Sequence, residues 1–234
     1  MDYSLYPLGD QAILIQFPQQ VNESIHSMVQ GISKRVEQES FEWLVEIVPA
    51  FASVAIHYDI RKLLHHTNPY LAVEKEITRM LKSKKSFENI PSREVAIPVL
   101  YGGETGPDLE EVAERNNLTP EQVISYHTEA RYTVYMLGFA PGFPYIGGLN
   151  AKIATPRKSK PRLRIPAGSV GIAGEQTGVY PIETPGGWQV IGQTPEALFR
   201  PQNEAEPTLL KAGDTVRFYA ISEEEFQERK ERDK

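Results

Sequence analysis

The sequence predicts an α+β protein in two parts, an N-terminal α/β unit over residues 1–88 and a β-rich unit over residues 89–234. Three observations carry this reading. Up to about residue 90, short apolar runs alternate with stretches whose apolar side chains recur every three or four residues, the signatures of strand and helix. From Gly138 onward the helical period disappears, and short apolar runs are punctuated by Gly and Pro, as in a β-barrel or sandwich. Eleven of the 17 glycines fall between Gly138 and Gly192.

Taken in order, Gln11–Phe17 is an apolar run closed by Pro18 and reads as a strand. Val21, Ile25, Met28, Val29, Ile32 and Val36 then share one helical face. Trp43–Val48 and Ser53–Tyr58 are strands close enough to form a hairpin. Asn68-Pro69 offers an N-cap and a first-turn proline to a helix bearing Leu71, Val73, Ile77, Met80 and Leu81. The order β-α-β-β-α is similar to a ferredoxin-like half, with Val95–Val99 as the strand that completes it. Lys82–Arg93 is charged, contains Pro91 and reads as a linker. Pro107 opens a helix with Leu109, Val112 and Ala113 on one face, and Thr119-Pro120-Glu121-Gln122 has the capping-box pattern of another. Arg131–Met136 returns to strand, Asp214–Ile221 is an alternating strand, and Ser222 with Glu225 caps a terminal helix.

Composition narrows the chemistry. The 234 residues carry 25 basic and 31 acidic side chains, a net charge of −6 that argues against a nucleic-acid partner. There is no cysteine, which excludes disulfides, thiolate metal sites and a Cys nucleophile. Met1-Asp2-Tyr3-Ser4 lacks the basic and apolar regions of a signal peptide, and no window resembles the ~20 apolar residues of a membrane span. A cytoplasmic protein without a membrane partner is expected. No Walker A sequence and no His-x-x-x-His pair occurs, so neither a P-loop nor a metal site is expected. Ser169 follows Ala167-Gly168, whereas a nucleophile elbow needs Gly two residues before the Ser.

The charge is unevenly placed. Between Ala130 and Gly174 there is no Asp or Glu but seven basic residues, so this segment is +7 and the remainder −13. Within it, Thr155–Pro166 is rich in arginine, whose planar fork matches carboxylate or phosphate. A solvated loop facing acidic neighbours would have the same composition. Tyr135–Leu149 interleaves aromatics with Gly and Pro, either as the wall of a concave site or as a tightly turned core segment. Gly168–Pro181 combines glycine with small polar residues. It suits close backbone approach to a ligand, or barrel corners and bulges.

Together Tyr135–Leu149, Pro161-Arg162, Pro166–Pro181, Thr184–Trp188 and Ile191–Pro195 resemble the allophanate hydrolase subunit 1 family, and the likeness runs from Leu8-Gly9-Asp10 to about Phe218. The resemblance implies an N-terminal ferredoxin-like α/β domain followed by a cyclophilin-like β-barrel. It implies work with 5-oxoprolinase subunits C and A in opening 5-oxoproline (pyroglutamate) to glutamate. ATP would be used by the complex rather than bound by this chain alone. Phosphorylation of the lactam oxygen would make a resonance-stabilised amide open to attack by water. A KipI-like branch implies instead an inhibitor that docks on the dimerisation and phosphotransfer domain of a sporulation sensor histidine kinase. A prolyl isomerase lacks an evident signature here, and a barrel alone does not imply one.

Block membership and residue chemistry nominate Arg157, Arg162 and Arg164 as contacts to a small anionic substrate, with Gln176 and Thr177 orienting it. His127 and Glu175 are the candidates for proton transfer. Phe139, Pro141, Phe143, Tyr145 and Tyr180 are the candidates for a pocket wall or partner surface. Lys158-Ser159-Lys160 is more basic than the family pattern.

Overall fold

A computed structural model of the chain describes residues 2–18, 23–83 and 92–232. It separates into two compact units, Met1–Pro91 and Ser92–Lys234. The boundary expected between residues 88 and 89, most of the expected linker, and Val21 lie outside the described residues.

The first unit runs β1 (Ser4–Pro7), β2 (Ala12–Gln16), α1 (Glu23–Glu39), β3 (Leu44–Pro49), β4 (Ser53–Tyr58) and α2 (Pro69–Lys82). The strands form one antiparallel sheet in the order β1-β2-β4-β3. Register sets Ile13 beside Ile56 and Ile15 beside Val54. These four pack with Ile25, Val29, Ile32 and Val36 of α1 and Val73, Ile77 and Met80 of α2. The helical stripes read from the sequence are therefore the faces that cover the sheet, except that Leu71, in the first turn of α2, is exposed. α2 starts where expected, with the Asn68 side chain accepting from the Leu71 N–H at 3.1 Å. The Trp43 indole N–H donates to Glu76 at 2.9 Å.

One expectation is corrected. Val95–Val99 does not complete this sheet; it lies in β5 (Glu94–Tyr101) of the second unit. The place beside β2 is taken by β1, which pairs with it from Ser4↔Gln16 to Pro7↔Ile13. A hairpin partner four residues away closes a far shorter loop than a strand arriving after a helix and a linker, and so loses less chain entropy.

In the second unit β5 is followed by α3 (Leu109–Arg115), α4 (Pro120–Glu129), β6 (Tyr132–Leu137), β7 (Pro144–Gly147), β8 (Arg162–Ile165), β9 (Ser169–Ala173), β10 (Gln176–Val179), β11 (Thr184–Gly186), β12 (Gln189–Gln193), β13 (Thr215–Ala220) and α5 (Glu223–Arg232). Seven strands close a barrel in the order β10-β7-β6-β13-β5-β12-β9, so the structure decides for a barrel over a sandwich. β13 closes it by pairing in parallel with β5 over six residues, Thr215↔Glu94 to Ala220↔Val99. β8 and β11 form a separate two-stranded ribbon.

β9 and β12 are buried along nearly their whole length, whereas β13 alternates buried and more exposed residues, as its sequence pattern indicates. Val170, Ile172 and Ile191 join the main core with Val134, Ile146 and Phe218. Their neighbours Ala173 and Val190 join a second cluster with Phe143, Ile165, Tyr180 and Trp188. α3 and α4 add Leu109, Val112 and Val123 to the main core. The expected capping box is present: Thr119 Oγ1 accepts from the Gln122 N–H, and Gln122 Oε1 accepts from the Thr119 N–H.

Candidate functional site

The basic loop is organised by an acid that lies outside it. Asp108, the N-cap residue of α3, is 2% exposed. Its carboxylate accepts from both terminal nitrogens of Arg162 at 2.7 Å, from Lys158 Nζ at 2.7 Å and from the Val190 N–H at 2.7 Å. Lys158 also reaches Glu111 at 2.8 Å. Burial by itself would raise the Asp108 carboxyl, but the hydrogen bonds from Arg162, Lys158 and Val190 outweigh it and hold the group below the usual carboxylate range. Two of the seven cations of the 130–174 segment are thus paired with a residue about fifty positions earlier, and with Glu111 the two acids balance the two cations. Arg164 pairs with the exposed Glu183 at 2.6 Å, and Arg131 with Glu94 at 3.4 Å. Of the stretch's four arginines, Arg157 alone has no carboxylate partner among the described residues.

Arg157 is held at both ends. The Gln189 side-chain amide donates to the Pro156 carbonyl at 3.1 Å, and the Lys158 N–H donates to the Gly187 carbonyl at 2.7 Å. Its guanidinium lies 5.8 Å from the centre of the Trp188 ring, a cation–π contact. Trp188 has its place because β9 and β10 present glycine beneath it. Gly171 and Gly178 are register partners. A Cβ on Gly178 would meet Trp188 Cζ3 at 2.9 Å, and one on Gly171 would meet Trp188 Cβ at 3.1 Å. Here the glycines admit a side chain.

Phe143 sits at the centre of the aromatic block, with edge contacts of 5.2–5.5 Å to Phe139, Tyr145, Tyr180 and Trp188. The five aromatics do come together, but Phe143 and Tyr180 are buried within the cluster, Tyr145 is half-buried, and Phe139 and Pro141 are exposed. Phe139 is 68% exposed and has φ of +70°, a left-handed conformation that is strained for a bulky side chain.

His127 lies elsewhere, inside the barrel unit and 0% exposed. Nδ1 is 2.7 Å from the Tyr101 hydroxyl and Nε2 is 2.9 Å from Thr177 Oγ1. Thr177 donates its own proton to the Gly171 carbonyl, so it accepts from His127. Nε2 therefore carries the imidazole proton and Nδ1 accepts from Tyr101. Burial lowers the His127 pKa to about 3 and pushes the Tyr101 hydroxyl well above its usual range. Thr177, nominated to orient a ligand, faces this enclosed histidine. Glu175 is exposed in the β9–β10 turn and Gln176 is half-buried beside it. A bridge between Thr155 and Gly174 brings that turn to the Arg157 segment.

Sequence reasoning misses Asp108, Trp188 and Gln189. Gly106-Pro107-Asp108 signals only a helix start, and the missing acids of the 130–174 segment are the one hint that a carboxylate has to come from elsewhere. A separate polar cleft of about 570 Å³, lined by the Gly102–Thr105 turn, Gln193, Phe226 and Lys230, contains none of the nominated residues. Among the described residues no group of three or more His, Asp or Glu is placed to hold a metal ion, and no helix is long and apolar enough to cross a membrane.

Comparison with known proteins shows the family. The family "Carboxyltransferase domain, subdomain C and D" matches residues 3–210. A Bacillus subtilis protein, named as the B-type subunit of 5-oxoprolinase, is 50% identical over 98% of this chain and 97% of its own length. A Haemophilus influenzae protein of the same name is 39% identical over 92% of this chain and 96% of its own. Among solved structures, TTHA0988 superposes with a TM-score of 0.76 at 35% identity over 91% of this chain, which spans 40% of that longer chain. The chain therefore belongs to the carboxyltransferase family of subdomains C and D, the family of allophanate hydrolase subunit 1.

Proposed function

We propose that this chain is the B-type subunit of an ATP-dependent assembly that opens 5-oxoproline to glutamate, acting with subunits C and A. The observation that carries the reading is the end-to-end likeness, at 50% identity, to a protein named as the B-type subunit of 5-oxoprolinase. The residues support it in outline. 5-Oxoproline is a flat lactam with one carboxylate, and Arg157 presents a cation without a carboxylate partner among the described residues beside an aromatic block. Glu175 is the proton-transfer candidate open to solvent, whereas His127 is enclosed and neutral and serves the barrel interior. The chain has no P-loop, which is consistent with an ATP-dependent step on a partner subunit. Purified chain mixed with subunits A and C, 5-oxoproline and ATP should release glutamate, and omission of this chain should stop it. Unchanged turnover without the chain, or none in the complete mixture, rejects the proposal.

A second reading, an inhibitor docking on a sensor histidine kinase, draws on Phe139. An aromatic side chain that is both strained and exposed, with its edge contact to Phe143 offset by that strain, suits a protein partner. The expected result is suppression of kinase autophosphorylation by the chain alone and its loss in Phe139→Ala. Full autophosphorylation at saturating chain rejects it.

A further inference from the structure

We propose that Arg157, laid on Trp188, is the anchor for a single carboxylate on a flat and largely apolar ligand. Asp108 is the positioning residue that gives the site this selectivity, by keeping Lys158 and Arg162 out of it. The inference deepens the 5-oxoproline reading and rests on it for the ligand's identity.

The first argument is charge. The loop carries enough cations to suit a phosphate, but Arg162 and Lys158 are taken by Asp108, Lys158 also by Glu111, and Arg164 by Glu183. Lys160 is exposed and, among the described residues, makes no cation–π contact with an aromatic ring, so the cation set against the aromatic block is the Arg157 guanidinium. One guanidinium balances one carboxylate, whereas a phosphoryl dianion would be left under-neutralised. The second argument is geometry. The Arg157 guanidinium, 5.8 Å from the centre of the Trp188 ring and without a carboxylate partner among the described residues, keeps N–H groups available, and those are the groups that make a forked pair with a carboxylate. The fixed backbone on either side, through Gln189 and Gly187, keeps Arg157 in place. The charge is felt within the cluster: burial raises the Tyr180 hydroxyl, while Arg157 and Arg162 both pull it back. The third argument is discrimination against product. 5-Oxoproline has one negative charge and no ammonium. Glutamate has two carboxylates and an ammonium, and a lone arginine satisfies only one of these groups.

The test is a titration of the full-length chain followed by the indole N–H signals. The two tryptophans lie one in each unit, so Trp43 is the internal control for Trp188. The probes are 5-oxoproline, 2-pyrrolidinone (the same ring without the carboxylate) and inorganic phosphate. The expected result is a saturable shift of the Trp188 signal with 5-oxoproline, none with 2-pyrrolidinone, and phosphate at least about 10-fold weaker. Loss of one charge-assisted pair corresponds to about 10- to 100-fold, which is the weakening expected for Arg157→Gln, with partial recovery in Arg157→Lys. Asp108→Asn frees Arg162 and leaves Lys158 shared with Glu111 alone, and should raise phosphate affinity relative to 5-oxoproline, a change that mere loosening of the fold does not produce. Failure of the wild-type chain to bind 5-oxoproline, equal binding of 2-pyrrolidinone, or unaltered binding by Arg157→Gln overturns the inference. In the reconstituted assembly Arg157→Gln should raise KM for 5-oxoproline more than it lowers kcat. Turnover with an unaltered KM overturns the inference and leaves the proposed function standing. Absence of turnover together with Arg157-dependent binding overturns the function alone.

Discussion

Replacement of Asp108 by Asn keeps the shape of the side chain and one acceptor for the Val190 N–H, but removes the charge that holds Arg162 and Lys158. Breaking a buried ionic network by neutralising one member costs about 3–5 kcal/mol. The stranded cations are 31% and 23% exposed, so water recovers part of their solvation and the lower end applies, about 3 kcal/mol. For a folding unit the size of residues 92–234, about 3–4 °C is lost per kcal/mol, which places the midpoint about 10 °C lower. Thermal unfolding followed by Trp188 fluorescence in a Trp43→Phe background reads this unit by itself. The pH dependence has a definite sign. The Asp108 carboxyl is depressed in the folded state, so its contribution is complete above about pH 5. It is lost as pH falls through the folded pKa, below the usual carboxylate range. The gap between wild type and Asp108→Asn should therefore close on acidification. A shift under about 3 °C at pH 7, or a gap that persists unchanged at low pH, would refute the view that the charge of Asp108 organises the loop.

Three further outcomes follow from the geometry. His127, with its pKa lowered to about 3 against 6.5 unfolded, makes the fold lose stability as pH drops below about 6.5, by at most about 1.4 kcal/mol per pH unit; His127→Phe should flatten that slope, and ring nitrogen shifts should report a neutral Nε2–H tautomer at pH 7. Phe143→Ala, in the buried aromatic cluster, should cost about 3–5 kcal/mol. Phe139→Gly should stay within about 1 kcal/mol of wild type in the same denaturant titration, because relief of the left-handed strain offsets the lost edge contact. Gly178→Ala pushes a methyl against the indole and the Pro144 carbonyl; a loss of about 1–3 kcal/mol with a changed Trp188 emission is expected, and an unperturbed spectrum would contradict the packing described.

Much of the local structure is legible because its causes are local. The Asn68 cap, the Thr119 capping box and the apolar stripes of α1 and α2 each act within a few residues, and a strand rich in branched and aromatic side chains needs no partner to be recognised. β1 leaves no mark in the residue pattern because Ser4–Pro7 is too short and too exposed to show one. The blocks Tyr135–Leu149 and Gly168–Pro181 supply Phe139, Phe143, Tyr145 and Tyr180 as wall candidates, but do not show the enclosure of Phe143 and Tyr180. An apolar run looks the same whether it lines a pocket or fills a core.

Residue order alone thus determined the helices and the longer strands, the change to a glycine-rich β part, and the family. Pairing was decided only in three dimensions. β5 belongs to the barrel because β13, more than a hundred residues later, lies beside it. The segment's apparent charge of +7 is reduced because Asp108 and Glu111 meet Lys158 and Arg162, about 50 residues away. Hydrogen bonds and ion pairs act over about 3 Å of space whatever the separation along the chain. A sequence therefore shows which groups are available, and the closure of the barrel selects the ones that meet.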